Sequence, residues 1–145
     1  MSIAAIADAL VTALISAGFS EAERKPLPYV KREDCAARRC VVICRNIVRD
    51  EGTRPDFDEV CELSIVLQQA VDDPHSNSFV DALLANVETL AALWGDAGAL
   101  RHTMLQGAIY DGGPSHPTGT LYEFQQLLEL HLFTSVTLVK YRIEA

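Results

Sequence analysis

Little in this sequence points to a reaction. It contains neither G-x-G-x-x-G nor G-x-x-x-x-G-K-S/T, so the loops that cradle phosphates are missing and nucleotide binding is not expected. No G-x-S-x-G elbow is present to expose a serine nucleophile. Basic residues are scarce, 12 against 20 acidic, for a net charge of −8. They fall in the short groups Arg24-Lys25, Lys31-Arg32 and Arg38-Arg39, which read as a mixed, solvated surface. So acidic a surface repels phosphate backbones and disfavours tight, non-specific nucleic-acid binding. No apolar run is long enough for a bilayer: Ile3 to Phe19 is too short, carries Asp8 and lacks a basic leader, so a soluble protein with no export signal is expected. Cys35, Cys40, Cys44 and Cys61 have four, three and sixteen residues between them, which matches no common zinc pattern, and they read as free thiols of a reducing compartment.

What is present is a well-patterned core. With 145 residues, 49% hydrophobic and 22% charged, the chain is read as one domain over residues 1–145, able to bury about two thirds of its unfolded surface. The pattern predicts a helix over Ile3 to Ala17, with Ser2 as N-cap, Ile3, Ile6, Leu10 and Leu14 as its stripe, and Gly18 as its stop. After Pro26 and Pro28, a short extended piece is expected around Tyr29, then a strand over Cys40 to Val48. The polar turn Asp50 to Pro55 joins that strand to the next in an antiparallel hairpin with a long, exposed tip. In the next strand, within Asp56 to Val71, Cys61, Leu63, Ile65 and Leu67 face one way while Glu62, Ser64 and Gln68 face the other.

Ser78 with Asp81 three residues on resembles a capping box opening a helix to about Trp94, closed by Gly95. Val80, Leu83, Leu84, Val87, Leu90, Ala91 and Trp94 share one face of it. A weaker strand is expected between Leu100 and Ile109, and Asp111 to Thr120 is expected to be irregular because of its glycines and prolines. The last strand is predicted over Leu128 to Ile143, with apolar groups on both faces: Leu132, Val136 and Leu138 on one, Phe133, Val139 and Tyr141 on the other. Such a strand either lies mid-sheet under two layers or meets another subunit. The fold class is thus α/β in the α+β sense, a largely antiparallel sheet of four to five strands covered by two main helices.

Candidate chemistry is thin. Ser115 and His116 suggest a nucleophile and base, but sequence neighbours rarely face each other productively. Asp72, Asp73 and His75 suggest a metal, yet an acidic turn before a helix N-terminus is favoured by the helix dipole alone. His102 and His131, the latter placed in the last strand, read as hydrogen-bonded structural histidines, and Trp94 reads as core. No catalytic residue, cofactor or metal ligand is assigned.

The order of elements, with Val60-Cys61-Glu62-Leu63-Ser64-Ile65-Val66-Leu67-Gln68-Gln69-Ala70-Val71, the helix Phe79 to Glu88 and the ending Leu132 to Arg142, resembles the neck proteins of long-tailed bacteriophages, particularly the tail terminator family. The similarity runs from about Tyr29 onward and rests on pattern and order, with no catalytic motif. It implies a non-enzymatic virion protein, assembled as a homohexameric ring that caps the tail tube and joins it to the head. Its partners would be further copies of itself, the tail-tube protein and the head-completion or connector protein. DNA would pass through without specific binding, and no membrane is involved. The implied location is the virion tail or neck, and the host cytoplasm during assembly. A head-completion or adaptor role fits the same pattern, and the competing reading is a small ligand-binding or metal-dependent α+β domain using the cysteines or the His116 loop.

Three features agree with a ring: the two-faced terminal strand, the acidity, which suits a DNA conduit, and the two polar tips. Candidate subunit or partner contacts are Glu51, Thr53 and Arg54 in the first tip, Asp111, Ser115 and His116 in the second, and Phe133, Val139 and Tyr141 on the last strand.

Overall fold

The computed structural model describes residues 2–50 and 58–144. Ser2 opens α1 (Ile3–Ser16) as expected, its hydroxyl accepting the Ala5 N–H at 3.2 Å and satisfying a donor that the helix start leaves open. Ile6, Leu10 and Leu14 of the stripe are fully buried. Gly18, at φ +110°, turns the chain out of the helix. The Phe19 N–H then returns to the Leu14 carbonyl at 2.9 Å and the Gly18 N–H to that of Ile15 at 3.3 Å, the two bonds of a Schellman cap.

Five strands form one sheet: β1 (Ala22–Arg24), β2 (Arg39–Asp50), β3 (Asp58–Ala70), β4 (Ile109–Ser115) and β5 (Leu132–Ile143), in the order β1-β2-β3-β5-β4. β1 is parallel to β2 and the other pairings are antiparallel, so the α+β class and the largely antiparallel five-stranded sheet stand as expected. The expected extended piece around Tyr29 is not a strand; the strand in this region is β1, too short to show alternation.

α1 and α2 (Asn77–Ala92) cover one face. Cys40 and Val42 of β2, Cys61, Leu63, Ile65 and Leu67 of β3, and Phe133, Val139 and Tyr141 of β5 share a single cluster with the stripes of both helices. Val80, Leu83, Val87 and Leu90 of α2, with Trp94 just beyond it, are all buried. At about 2 kcal/mol each, those five side chains contribute on the order of 10 kcal/mol before entropy is subtracted. The Trp94 indole N–H is satisfied inside the core by the Tyr141 hydroxyl, 2.9 Å away.

Several expectations are corrected. α2 is capped at Ser76, not Ser78, because the Asp73 carboxylate accepts the His75 N–H at 3.0 Å and turns the chain into the helix early. The Ser76 hydroxyl bonds that of Ser78 at 3.0 Å, and the expected capping box is not formed. The strand placed between Leu100 and Ile109 is instead a series of turns with one bridge, Leu105 to Ala108.

The strand of this region is β4, which runs from Ile109 into the glycine and proline stretch from Asp111 that was expected to be irregular. It is an edge strand with two register shifts against β5, the setting in which a sheet accepts such residues. Gly113 sits at φ +94°, where an added Cβ would meet the Leu138 carbonyl oxygen at 2.5 Å, so close pairing with β5 requires glycine.

Finally, β5 starts at Leu132, because Phe124–Leu130 forms a helix, α3. His131 ends that helix at φ +50°, its carbonyl accepting the Val71 N–H at 2.8 Å. It is therefore a helix cap and not a strand residue.

β5 lies between β3 and β4, paired with β3 from Glu59↔Ile143 to Ala70↔Leu132. Both of its faces are covered within one chain: Phe133, Val139 and Tyr141 by the helices, and Leu132, Thr134 and Leu138 by the opposite layer. Of the two explanations for its apolar faces, the mid-sheet position is the one realised. Phe133, Val139 and Tyr141 are consequently core residues and are withdrawn as contact residues, as is the terminal strand as an argument for a ring.

Candidate functional site

The layer opposite α1 and α2 is organised by a buried glutamine. Gln68 points away from the helices because Leu67 beside it points toward them. Its amide completes the backbone of Tyr29 as a neighbouring strand would, accepting the Tyr29 N–H at 2.9 Å and donating to the Tyr29 carbonyl at 2.7 Å. The second amide hydrogen goes to Thr134 Oγ1 at 3.2 Å, and Thr134 donates onward to Gln126 Oε1 of α3 at 2.7 Å. Tyr29 is held at its other end by Glu23 Oε1, 2.5 Å from its hydroxyl. One chain of hydrogen bonds thus ties β1, the 25–31 segment, β3, β5 and α3 together.

The groups weighed for chemistry do not converge. Ser115 is exposed on β4, and no hydrogen bond joins it to His116, whose Nδ1 lies 2.9 Å from the Val136 carbonyl oxygen. A carbonyl only accepts, so Nδ1 carries the proton and anchors the loop to β5. Asp72 is paired with Arg32 at 3.0 Å, and Asp73 is spent on the turn before α2. His102 is exposed on a turn, not hydrogen-bonded in the interior as expected. Beside it, Arg101 helps line a groove of about 570 Å³, but its guanidinium is committed to the Trp94 carbonyl at 2.9 Å and to the Tyr110 ring.

The four cysteines are free thiols. Burial raises the thiol pKa of Cys35 and Cys61, and it pushes that of Cys40 up to about 12, with Glu21 nearby adding to the rise. Those three stay protonated near neutrality and are poor nucleophiles. Among the described residues, no three His, Cys, Asp or Glu side chains group as a metal site needs, and no helix is long and apolar enough to cross a membrane.

No protein-family model matches this chain, and no curated protein sequence does either.

Of the expected contact residues, Glu51, Thr53 and Arg54 lie outside the described residues. Asp111 belongs to an ion cluster at the open end of the sheet. Arg142 donates to Asp58 Oδ2 at 3.0 Å and, from Nε and Nη2, to the two Asp111 oxygens at 3.3 and 3.4 Å. The cluster fastens β4 and β5 to the start of β3. Asp111 and Ser115 remain on the surface, and His116 is half-buried.

Exposed apolar side chains at two places were not anticipated. β1 pairs with β2 only at Cys40, Val41 and Val42, so the outer half of β2, Arg45 to Arg49, is exposed; Ile47, level with Cys61, and Val48, level with Val60, lie on its opposite faces. At the other end of the sheet, α3 turns Leu127 inward and leaves Phe124 and Leu128 in solvent, with Leu121 before them. These five side chains are 41% to 60% exposed. The spacing of Phe124, Leu127 and Leu128 at i, i+3 and i+4 was the available signal for α3, obscured by the strand-like run that follows.

Proposed function

We propose that this protein is a structural component and not an enzyme: a homohexameric ring that terminates the tail tube of a long-tailed bacteriophage and joins it to the head. The observation that supports this best is the exposed apolar face of α3, formed by Phe124 and Leu128 with Leu121 before them. Such a face on a chain of net charge −8 is characteristic of a protein that works by contact with others. The specific assignment to a phage neck rests on the resemblance of the strand and helix sequences to the tail terminator family. In the assembled state each subunit buries its apolar surfaces against two neighbours, while the acidic wall lets DNA pass without arresting it. Its partners are then the tail-tube protein below and a connector or head-completion protein above, in the virion and, during assembly, in the host cytoplasm.

Light scattering with and without polymerised tail tubes tests this. A six-fold mass, or a monomer that adds to tube ends and stops their growth, is the expected result. A monomer indifferent to tubes removes the reading. A head-completion protein would share the ring but leave tube growth unchanged.

A further inference from the structure

We draw no further inference here: the strongest candidate, the apolar face that α3 turns to solvent through Phe124 and Leu128 with Leu121 before them, is an unpartnered surface patch, and nothing in the structure shows what covers it.

Discussion

Gln68→Leu is the most informative perturbation of the fold, because leucine nearly matches the volume of glutamine and removes only its hydrogen bonds. Gln68 and Thr134 are about 1% and 2% exposed. The substitution leaves the Tyr29 N–H and carbonyl without their partner and deprives Thr134 Oγ1 of a donor, although its own donation to Gln126 survives. Each buried group so orphaned costs about 1–3 kcal/mol. Taking the low end, because Tyr29 is half-buried, the three losses come to about 3 kcal/mol. For a chain of this size that corresponds to a fall in Tm of about 10 °C. Thermal unfolding followed by circular dichroism measures it, and hydrogen exchange localises it: the Tyr29 amide should lose protection while α2 keeps its own. Gln68→Glu should cost more than leucine, since a carboxylate cannot donate and faces the Tyr29 carbonyl. A leucine variant within about 2 °C of wild type, with Tyr29 still protected, would refute the reasoning.

Other consequences are as direct. Tyr141→Phe strands the Trp94 indole N–H in the core and should cost about 1–3 kcal/mol in urea unfolding. Gly113→Ala forces a Cβ against the Leu138 carbonyl at a positive φ, so it should destabilise by about 1–3 kcal/mol and expose the amides of β4 to exchange first. Cys40 has a folded pKa raised from 9.0 to about 12, so its contribution is fully present below pH 9 and is lost as pH rises from 9 towards 12. Denaturant midpoints across that range should fall less steeply for Cys40→Ala than for wild type. At pH 8, Cys35, Cys40 and Cys61 should resist a thiol reagent until the protein unfolds, and rapid labelling of all three would contradict their burial.

The elements that the sequence announced are those whose periodicity matches one continuous buried face. Ile6, Leu10 and Leu14 declared α1, Val80, Leu83, Val87 and Leu90 declared α2, and the alternation of Cys61, Leu63, Ile65 and Leu67 declared β3. Local pattern failed where partners distant in the chain decide structure. β1 is three residues long and exists because β2 lies beside it, and β4 holds a strand through Gly112, Gly113 and Pro114 only because β5 supplies the pairing. The apolar residues of β5 were found, but their meaning was not, since periodicity cannot tell an interior strand from one facing a neighbouring subunit. Gln68 read only as a polar residue on the face away from Leu67, and its 39-residue separation from Tyr29 in sequence conceals that it replaces a strand. The exposed α3 face was hidden because Leu128 to Leu130 merges with the apolar run that follows.

The place of β5 also governs how the chain must fold. Its pairings with β3 join residues 62 to 84 positions apart, from Ala70↔Leu132 to Glu59↔Ile143, while β2 and β3 meet as a local hairpin. Loop-closure entropy therefore delays the central pairing, and acquisition of the sheet should be slow compared with formation of either large helix. Until β5 inserts, the hairpin presents the unpaired edge of β3, with Leu63, Ile65, Val66 and Leu67 available to any other extended chain. That interval is the point at which aggregation competes with completion of the sheet.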